Sequence, residues 1–205
     1  MKFRALTVSR EYGSGGAEIA ALVANSLGWR LVDSALLAEI SNKANVPLAD
    51  VAALDERRDP WLHRISRPIW GSGADGMSDV FPVEIFDADA EADVARVVIE
   101  EAYRVGNCVF VGRGSQCVLR DKPDVFRVLV YGQWKDRVRR VQARVPPGAN
   151  VNSLLQSMDA RRLEYVRAHY GEDAADPHLY DLLIDSRNQL DAAARLIVCA
   201  MDLMK

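Results

Sequence analysis

Short, continuous apolar runs alternate along the chain with longer segments that have helical spacing. The apolar runs predict five buried strands, at about residues 3–8, 29–33, 108–111, 125–131 and 182–184. Apolar residues three and four positions apart predict the main helices, which run to about residue 27 and over about 87–105, 134–144, 152–170 and 190–204. Strands that alternate with helices form βαβ units, so we predict an α/β protein with a parallel sheet and helices on both faces.

The chain of 205 residues predicts one domain, 1–205. Shorter helices are predicted to follow Ser34 and Pro47, where Ser34 can cap the first of them. Between about residues 59 and 82 the periodicity fails, and proline and glycine interrupt the few apolar positions. We therefore expect a loop-rich insert in this part of the domain.

A glycine-rich turn follows the first predicted strand and precedes the first predicted helix. Its sequence is Ser9-Arg10-Glu11-Tyr12-Gly13-Ser14-Gly15-Gly16. Backbone N–H groups converge in such a turn, and the helix N-terminus adds partial positive charge, so phosphate is a typical ligand. The candidate phosphate-binding residues are Gly13, Ser14, Gly15, Gly16 and Ala17. The chain matches the Walker pattern only in part, because Gly16 occupies the position of the Walker lysine. A plain strand-to-helix turn is the alternative.

Two further polar residues follow predicted strands at the edge where ligands bind in open parallel sheets. Asp33 ends the second strand, and Arg113 follows the third in the sequence Gly112-Arg113-Gly114. The carboxyl ends of parallel strands meet at one edge of the sheet, so the glycine turn, Asp33 and Arg113 are predicted to converge there. That convergence favours a ligand site.

The composition excludes several classes of function. A net charge of −3 gives no overall nucleic-acid footprint, and no apolar run reaches the ~18 residues that span a bilayer. The start of the chain shows no signal peptide, and three widely spaced cysteines indicate reduced, mostly buried thiols, so a cytoplasmic location is expected. The histidines show no metal-ligand spacing. We expect no nucleic-acid or membrane partner, and the oligomeric state stays open.

The motifs taken together resemble the cytidylate kinase-like group of P-loop nucleoside monophosphate kinases, nearly from end to end. The resemblance rests on residues 8–16, Val32-Asp33, 109–114, the arginine-rich segment 159–170 and residues 176–182. It implies a P-loop NTPase-type parallel sheet, an NMP-binding helical insert over 34–86 and an arginine-rich lid over 145–172. The implied reaction transfers the γ-phosphoryl group of ATP, with Mg²⁺, to CMP or dCMP.

The residue types fit this reaction, because phosphoryl transfer gathers negative charge and arginine grips phosphate oxygens bidentately. The resemblance implies that Arg113 holds the acceptor phosphate. The arginines implied to close over the transferring group are Arg161, Arg162 and Arg167. Ordinary charged surface is the alternative for these lid arginines, and it is the favoured interpretation of Arg137, Arg140 and Arg144 on the preceding helix.

Two acidic residues keep two interpretations each. Glu164 lies three residues before Arg167 on one helix face, where it can orient that arginine or hydrogen-bond the acceptor base. Asp33 binds the acceptor nucleoside or caps the following helix. The nucleotide substrates are the only partners that the resemblance implies.

Four positions depart from the pattern of related kinases. Gly16 replaces the P-loop lysine of classical cytidylate kinases, Gly114 replaces their aspartate, Glu39 replaces an arginine, and Ala17 stands where the cytidylate kinase-like branch usually has arginine. Positive charge beside the phosphates must then come from elsewhere, and Arg10 in the same turn is the catalytic candidate. The alternative makes Arg10 a surface residue. Two other functions stay open, a non-catalytic nucleotide-binding protein and a kinase for another small acceptor.

Overall fold

The computed structural model describes residues 3–33, 88–187 and 189–204. The predicted insert over 34–86, with its two short helices and Glu39, lies outside the described residues. The described strands are β1 Ala5–Arg10, β2 Arg30–Val32, β3 Cys108–Val111, β4 Val125–Tyr131 and β5 Leu182–Asp185. The described helices are α1 Gly16–Leu27, α2 Ala88–Val105, α3 Ser115–Val118, α4 Trp134–Gln142, α5 Val151–Tyr170 and α6 Leu190–Leu203, with a 3₁₀ turn at Pro177–Leu179.

The five strands form one parallel sheet in the order β2-β3-β1-β4-β5. Strand β1 lies at the centre, and the side chains of its residues 5–8 are fully buried. One face of the sheet packs on α1 and α6, and the other packs on α2 and α3. The predicted α/β class with helices on both faces is therefore confirmed. The turn after β1 and the loop after β3 lie side by side, because these two strands are neighbours.

The boundaries of β1 differ from the sequence prediction. The strand covers Ala5–Arg10 and not residues 3–8, because β4 extends the ladder and pairs Arg10 with Val130. Phe3 lies outside the strand but is buried, and its ring centroid is 5.1 Å from that of Phe126. Its burial explains why hydrophobicity placed it in the strand. Arg10 is thus the last residue of β1, and the glycine turn begins after it.

Helices α4 and α5 form a hairpin beside the glycine turn. Val141, Val151 and Leu155 make a small core between the two helices, and Tyr12 of the turn packs against it. Asn150 caps α5, which begins one residue before the predicted span of 152–170, since the Asn150 side chain accepts a hydrogen bond from the Ser153 N–H. The Asn152 side chain instead accepts a hydrogen bond from the indole of Trp134 on α4, at 3.1 Å.

Two short elements were not anticipated from the sequence, α3 and the 3₁₀ turn at Pro177–Leu179. Both are too brief for a periodic pattern to show. The thiol of Cys108 is buried, that of Cys117 is half-buried and that of Cys199 is exposed, so the prediction of mostly buried thiols is right for the first of them and wrong for the last. Within the described residues, no helix combines the length and apolarity needed to cross a membrane.

Candidate functional site

The turn after β1 has the conformation of an anion-binding turn. Gly13 and Gly15 both have positive φ values, of 75° and 81°, and α1 begins directly after Gly15. The buried Ser14 closes the turn, because its hydroxyl and its N–H both donate to the Glu11 carbonyl, at 2.9 and 3.3 Å. The N-terminus of α1 therefore opens at the carboxyl edge of the sheet, where its dipole favours an anion.

Glycine is required at position 15 for packing as well as conformation. A β-carbon there would lie 2.6 Å from Cδ2 of Leu190 on α6. A substitution such as Gly15→Val would consequently disturb the contact between the turn and α6 before any ligand arrives. Loss of nucleotide binding in that variant would not separate a ligand role from a structural one.

A buried arginine on α4 ties the turn to the helical hairpin. Arg137 is 4% exposed, and its Nε donates to the Tyr12 carbonyl at 2.7 Å. Its guanidinium pairs with Glu11 at 3.2 Å and with Asp159 of α5. Asp159 in turn accepts a hydrogen bond from the Tyr12 N–H at 2.7 Å, and Glu11 accepts one from the Gly132 N–H at 3.0 Å. The interpretation of Arg137 as charged surface is wrong.

The two neighbouring arginines of this face differ from each other. Arg140 donates to carbonyl groups of the turn, and burial lowers the pKa of its guanidinium, while Asp136 and Glu18 act in the opposite direction. Arg144 pairs with Glu18 at an exposed position. Charged surface is therefore the correct interpretation of Arg144 only.

Arg10 lies between the two glycine sequences of the site. A β-carbon on Gly16 would stand 2.5 Å from Cβ of Arg10, and one on Gly112 would stand 1.8 Å from its Nη1. The Arg10 side chain thus fills the space beside Gly16 and carries its guanidinium onto the loop after β3. This space is open only because both positions are glycine.

The loop after β3 has an unusual backbone. Gly112, Arg113 and Gly114 have φ values of 71°, 54° and 68°, and a positive φ is uncommon for a residue such as arginine. The Tyr170 hydroxyl of α5 donates to the Arg113 carbonyl at 3.2 Å. Burial raises the pKa of Tyr170 well above its ordinary value. The Arg113 guanidinium lies 6.0 Å from the ring centroid of Tyr165.

Gly114 has a tertiary reason to differ from the aspartate of classical cytidylate kinases. A β-carbon at this position would lie 2.0 Å from Cε2 of Tyr170. The Tyr170 ring therefore occupies the space that a side chain at position 114 would need. Tyr170 contacts both residues of this loop and lies 56 positions after Gly114 in the chain, so no local pattern indicates its effect.

Of the arginines predicted to act from the lid, Arg162 contacts the turn region. Its Nη1 donates to the Arg10 carbonyl at 3.2 Å, and its guanidinium lies 5.4 Å from the ring centroid of Tyr12. Arg161, Glu164 and Arg167 are exposed on α5. The structure thus places Arg10 and Arg162 together at the start of the turn and brings the Arg10 guanidinium to the loop that carries Arg113, whereas the roles of Arg161, Glu164 and Arg167 stay predictions.

Asp33 directly follows β2, an edge strand separated from β1 by β3. It is half-buried at the same carboxyl edge as the turn. The helix that it would cap lies outside the described residues. Both interpretations of Asp33, acceptor binding and capping, stay predictions.

The residues present fit a nucleotide phosphate better than a protein-bound Mg²⁺. The turn supplies a helix N-terminus and glycines through which a phosphate can approach the backbone. Ala17 stands where the Walker pattern has the serine or threonine that binds Mg²⁺. Among residues 3–33, 88–187 and 189–204, no group of three acidic, histidine or cysteine side chains is arranged to hold a metal. These residues therefore do not form a Mg²⁺ site by themselves.

Comparison with known proteins identifies the family and the fold. The model of a family described as cytidylate kinase-like matches residues 5–188, which confirms the resemblance seen in the sequence. No match was found among the curated proteins. An uncharacterized protein from Eubacterium ventriosum is 20% identical over 99% of both chains, with a TM-score of 0.65.

Two kinases of known name share the fold. A gluconokinase from Sinorhizobium meliloti is 14% identical, covering 98% of this chain and 92% of its own, with a TM-score of 0.54. A shikimate kinase from Acinetobacter baumannii, solved with shikimate, is also 14% identical, covering 99% and 95% of the two chains, with a TM-score of 0.52. The fold is therefore that of the P-loop kinases, as predicted.

Proposed function

The chain belongs to the cytidylate kinase-like family, and from this premise we propose that it transfers the γ-phosphoryl group of ATP to a nucleoside monophosphate, CMP or dCMP. The observation that carries the proposal is the position of Arg10 and Arg162 at the glycine turn, with the Arg10 guanidinium against the loop that carries Arg113. Several positive charges at one place suit a reaction that gathers two phosphorylated molecules around one phosphorus atom.

The proposed division of roles follows from the position of each group. Residues 13–17 bind the phosphates of ATP, with backbone N–H groups at the start of α1 as donors. An oxygen of the acceptor phosphate attacks the γ-phosphorus, and the bond from that phosphorus to the β–γ bridging oxygen breaks, which gives ADP and a nucleoside diphosphate. Arg113 holds the acceptor phosphate, since it follows the strand next to β1.

Arg10 takes the place of the missing lysine in this proposal. Its side chain packs against Gly16, the position of that lysine, and its guanidinium extends toward the Arg113 loop. Arg162 donates a hydrogen bond to the Arg10 carbonyl and adds a positive charge from α5. Arg161 and Arg167 would reach the transferring group only if the arginine-rich lid, 145–172, closes further, with Glu164 orienting Arg167 or binding the acceptor base.

One observation favours a second candidate, a kinase for another small acceptor. Classical cytidylate kinases have aspartate where Gly114 stands, and here the Tyr170 ring excludes any side chain at this position. A side chain at this position is therefore not available to contact an acceptor. The non-catalytic alternative rests on Gly16 and Ala17, which supply neither the lysine nor the hydroxyl of the Walker pattern.

An acceptor panel tests the three possibilities. ADP release from Mg·ATP would be measured with CMP, dCMP, UMP, AMP, gluconate and shikimate, and ATP binding would be measured by calorimetry. The proposal predicts turnover that is fastest with CMP or dCMP. Turnover only with a non-nucleotide acceptor would support the second candidate, and ATP binding without turnover on any acceptor would support a non-catalytic protein.

Replacing Arg113 by alanine should weaken acceptor binding selectively. The variant loses a charge-assisted hydrogen bond to the acceptor phosphate, so its Kd for CMP should rise at least tenfold, about 1.4 kcal/mol. The Kd for ATP should stay within about twofold of the parent value, because the glycine turn is unchanged.

Arg120→Ala is the matched control for this prediction. Arg120 lies seven residues later and pairs with Glu172 at the surface, where an ion pair contributes little. Loss of the Arg120 side chain should leave the Kd for ATP and the Kd for CMP nearly unchanged. If Arg113→Ala weakened the binding of ATP and of CMP equally, the proposed role of Arg113 in acceptor binding would be contradicted.

A further inference from the structure

The side chain of Arg140 joins the glycine turn to the loop after β5. Its Nη1 donates to the carbonyl oxygens of Gly13 and Ser14, at 3.3 and 3.1 Å, and to the hydroxyl of Ser186 at 3.2 Å. Its Nη2 donates to the Ser186 carbonyl at 3.3 Å. Ser186 is 1% exposed, so this end of the contact is enclosed by protein.

The acceptors of Arg140 distinguish it from the other arginines of the same helical face. Arg137 is neutralised by direct contact with Glu11 and Asp159, and Arg144 pairs with Glu18. The four hydrogen bonds of Arg140 go instead to neutral oxygens. Asp136 and Glu18 act on the Arg140 guanidinium through their charges, but none of these four hydrogen bonds goes to a carboxylate.

The two turn carbonyls that Arg140 binds belong to the peptide groups that also carry the Ser14 N–H and the Gly15 N–H. In a trans peptide the C=O and the following N–H point in opposite directions. A guanidinium that holds the Ser14 carbonyl thus directs the Gly15 N–H away from itself, at the point where α1 begins. The Ser14 N–H is already used to close the turn onto Glu11, which leaves the Gly15 peptide as the one whose orientation Arg140 sets for a ligand.

We propose that Arg140 is a positioning residue of the phosphate-binding turn. It fixes the peptide planes that follow Gly13 and Ser14 so that the Gly15 N–H faces the nucleotide phosphates, and it adds positive charge behind a turn that lacks the P-loop lysine. This inference rests on the proposed function, since it assumes that the turn binds the phosphates of ATP. It also makes the conformation of the turn depend on Ser186 after β5.

Three variants separate orientation from charge and from a local structural role. Arg140→Gln removes the charge and the forked donor, whereas Arg140→Lys keeps the charge but cannot hold the turn carbonyls and Ser186 in one planar fork. Arg144→Gln removes the same charge from the same face but leaves the turn contacts intact. The full chain would be titrated by calorimetry with ATP and with tripolyphosphate, which probes the turn without a nucleoside.

The proposal predicts that Arg140→Gln raises the Kd for ATP and the Kd for tripolyphosphate by the same factor, at least about tenfold. Arg140→Lys should lie between Arg140→Gln and the parent, and Arg144→Gln should change either Kd by less than about twofold. The ³¹P shift of the β-phosphate of bound ATP should move in Arg140→Lys, which reports the geometry of the turn even where the Gln variant does not fold.

The contrary outcomes are distinct. Parental affinity in Arg140→Gln would overturn the inference while leaving the proposed function intact. Full recovery of affinity and ³¹P shift in Arg140→Lys would show that charge alone matters and would overturn the positioning role. A parent protein that binds neither ATP nor tripolyphosphate would overturn the proposed function and this inference with it.

Discussion

Arg10→Ala should lower kcat with saturating ATP and acceptor by at least a hundredfold, about 2.7 kcal/mol in the activation barrier. The reason is that Arg10 fills the space beside Gly16 and extends its guanidinium to Gly112, between the glycine turn and the proposed acceptor loop. A cation at this position would stabilise charge on the transferring phosphoryl group. The measurement is steady-state ADP release with the best acceptor from the panel.

Arg4→Ala provides the matched control. Arg4 lies just before the opposite end of the same strand, where it is partly exposed and pairs with Asp124 at 3.8 Å. It is far from the carboxyl edge, so kcat should stay near the parental value. A parental kcat in Arg10→Ala would mean that Arg10 is not the substitute for the lysine.

A compensating pair of substitutions makes the same prediction sharper. Lysine at position 16 conflicts with Arg10, because its β-carbon would lie 2.5 Å from Cβ of Arg10. Arg10→Gly removes that conflict together with the charge to which we assign the catalytic role. Adding Gly16→Lys to Arg10→Gly should then recover part of the lost kcat, whereas Gly16→Lys alone should destabilise the fold. Failure of the pair to recover any activity would argue against an exchange of roles between positions 10 and 16.

Arg137→Met should lower the free energy of unfolding by about 2–4 kcal/mol, because it leaves two carboxylates without their buried cation. Glu11 and Asp159 both depend on Arg137, and the Tyr12 carbonyl loses its donor. The estimate is below that for a fully buried pair, since the two carboxylate side chains are 39% and 25% exposed. Urea unfolding monitored by circular dichroism is the measurement.

Arg139→Met is the control for Arg137→Met, since it changes the same residue type on the same helix. Arg139 is 64% exposed and pairs at 3.2 Å with Asp136, whose side chain is 10% exposed, so Arg139→Met leaves one enclosed carboxylate without this partner, whereas Arg137→Met leaves two carboxylates and a carbonyl without theirs. Its unfolding midpoint should shift less than that of Arg137→Met. Equal midpoints in the two variants would mean that the network around Tyr12 does not hold the turn.

The class of the fold follows from local patterns in the chain, because continuous apolar runs and helical spacing are local consequences of burial. These patterns located β3 and β4 at their observed bounds, and they ended the first helix at about residue 27, directly before Gly28, whose φ of 64° suits glycine. They also marked the glycine turn and Arg113 as neighbours, since the carboxyl ends of parallel strands share one edge. The motifs gave the family resemblance that the family match confirms.

Which arginines contact the turn depends on the assembled fold. Arg137, Arg139 and Arg140 are alike in a sequence, and their different environments depend on what the rest of the chain places against α4. Glu11, Asp159 and Ser186 lie far apart in sequence, so their contacts with these arginines exist only once β1, α5 and β5 have assembled. Likewise, the Tyr170 ring occupies the space of a side chain at position 114 only because α5 packs beside the loop after β3. Local patterns record whether a position is apolar, whereas a buried cation is stabilised by distant partners that no local pattern contains.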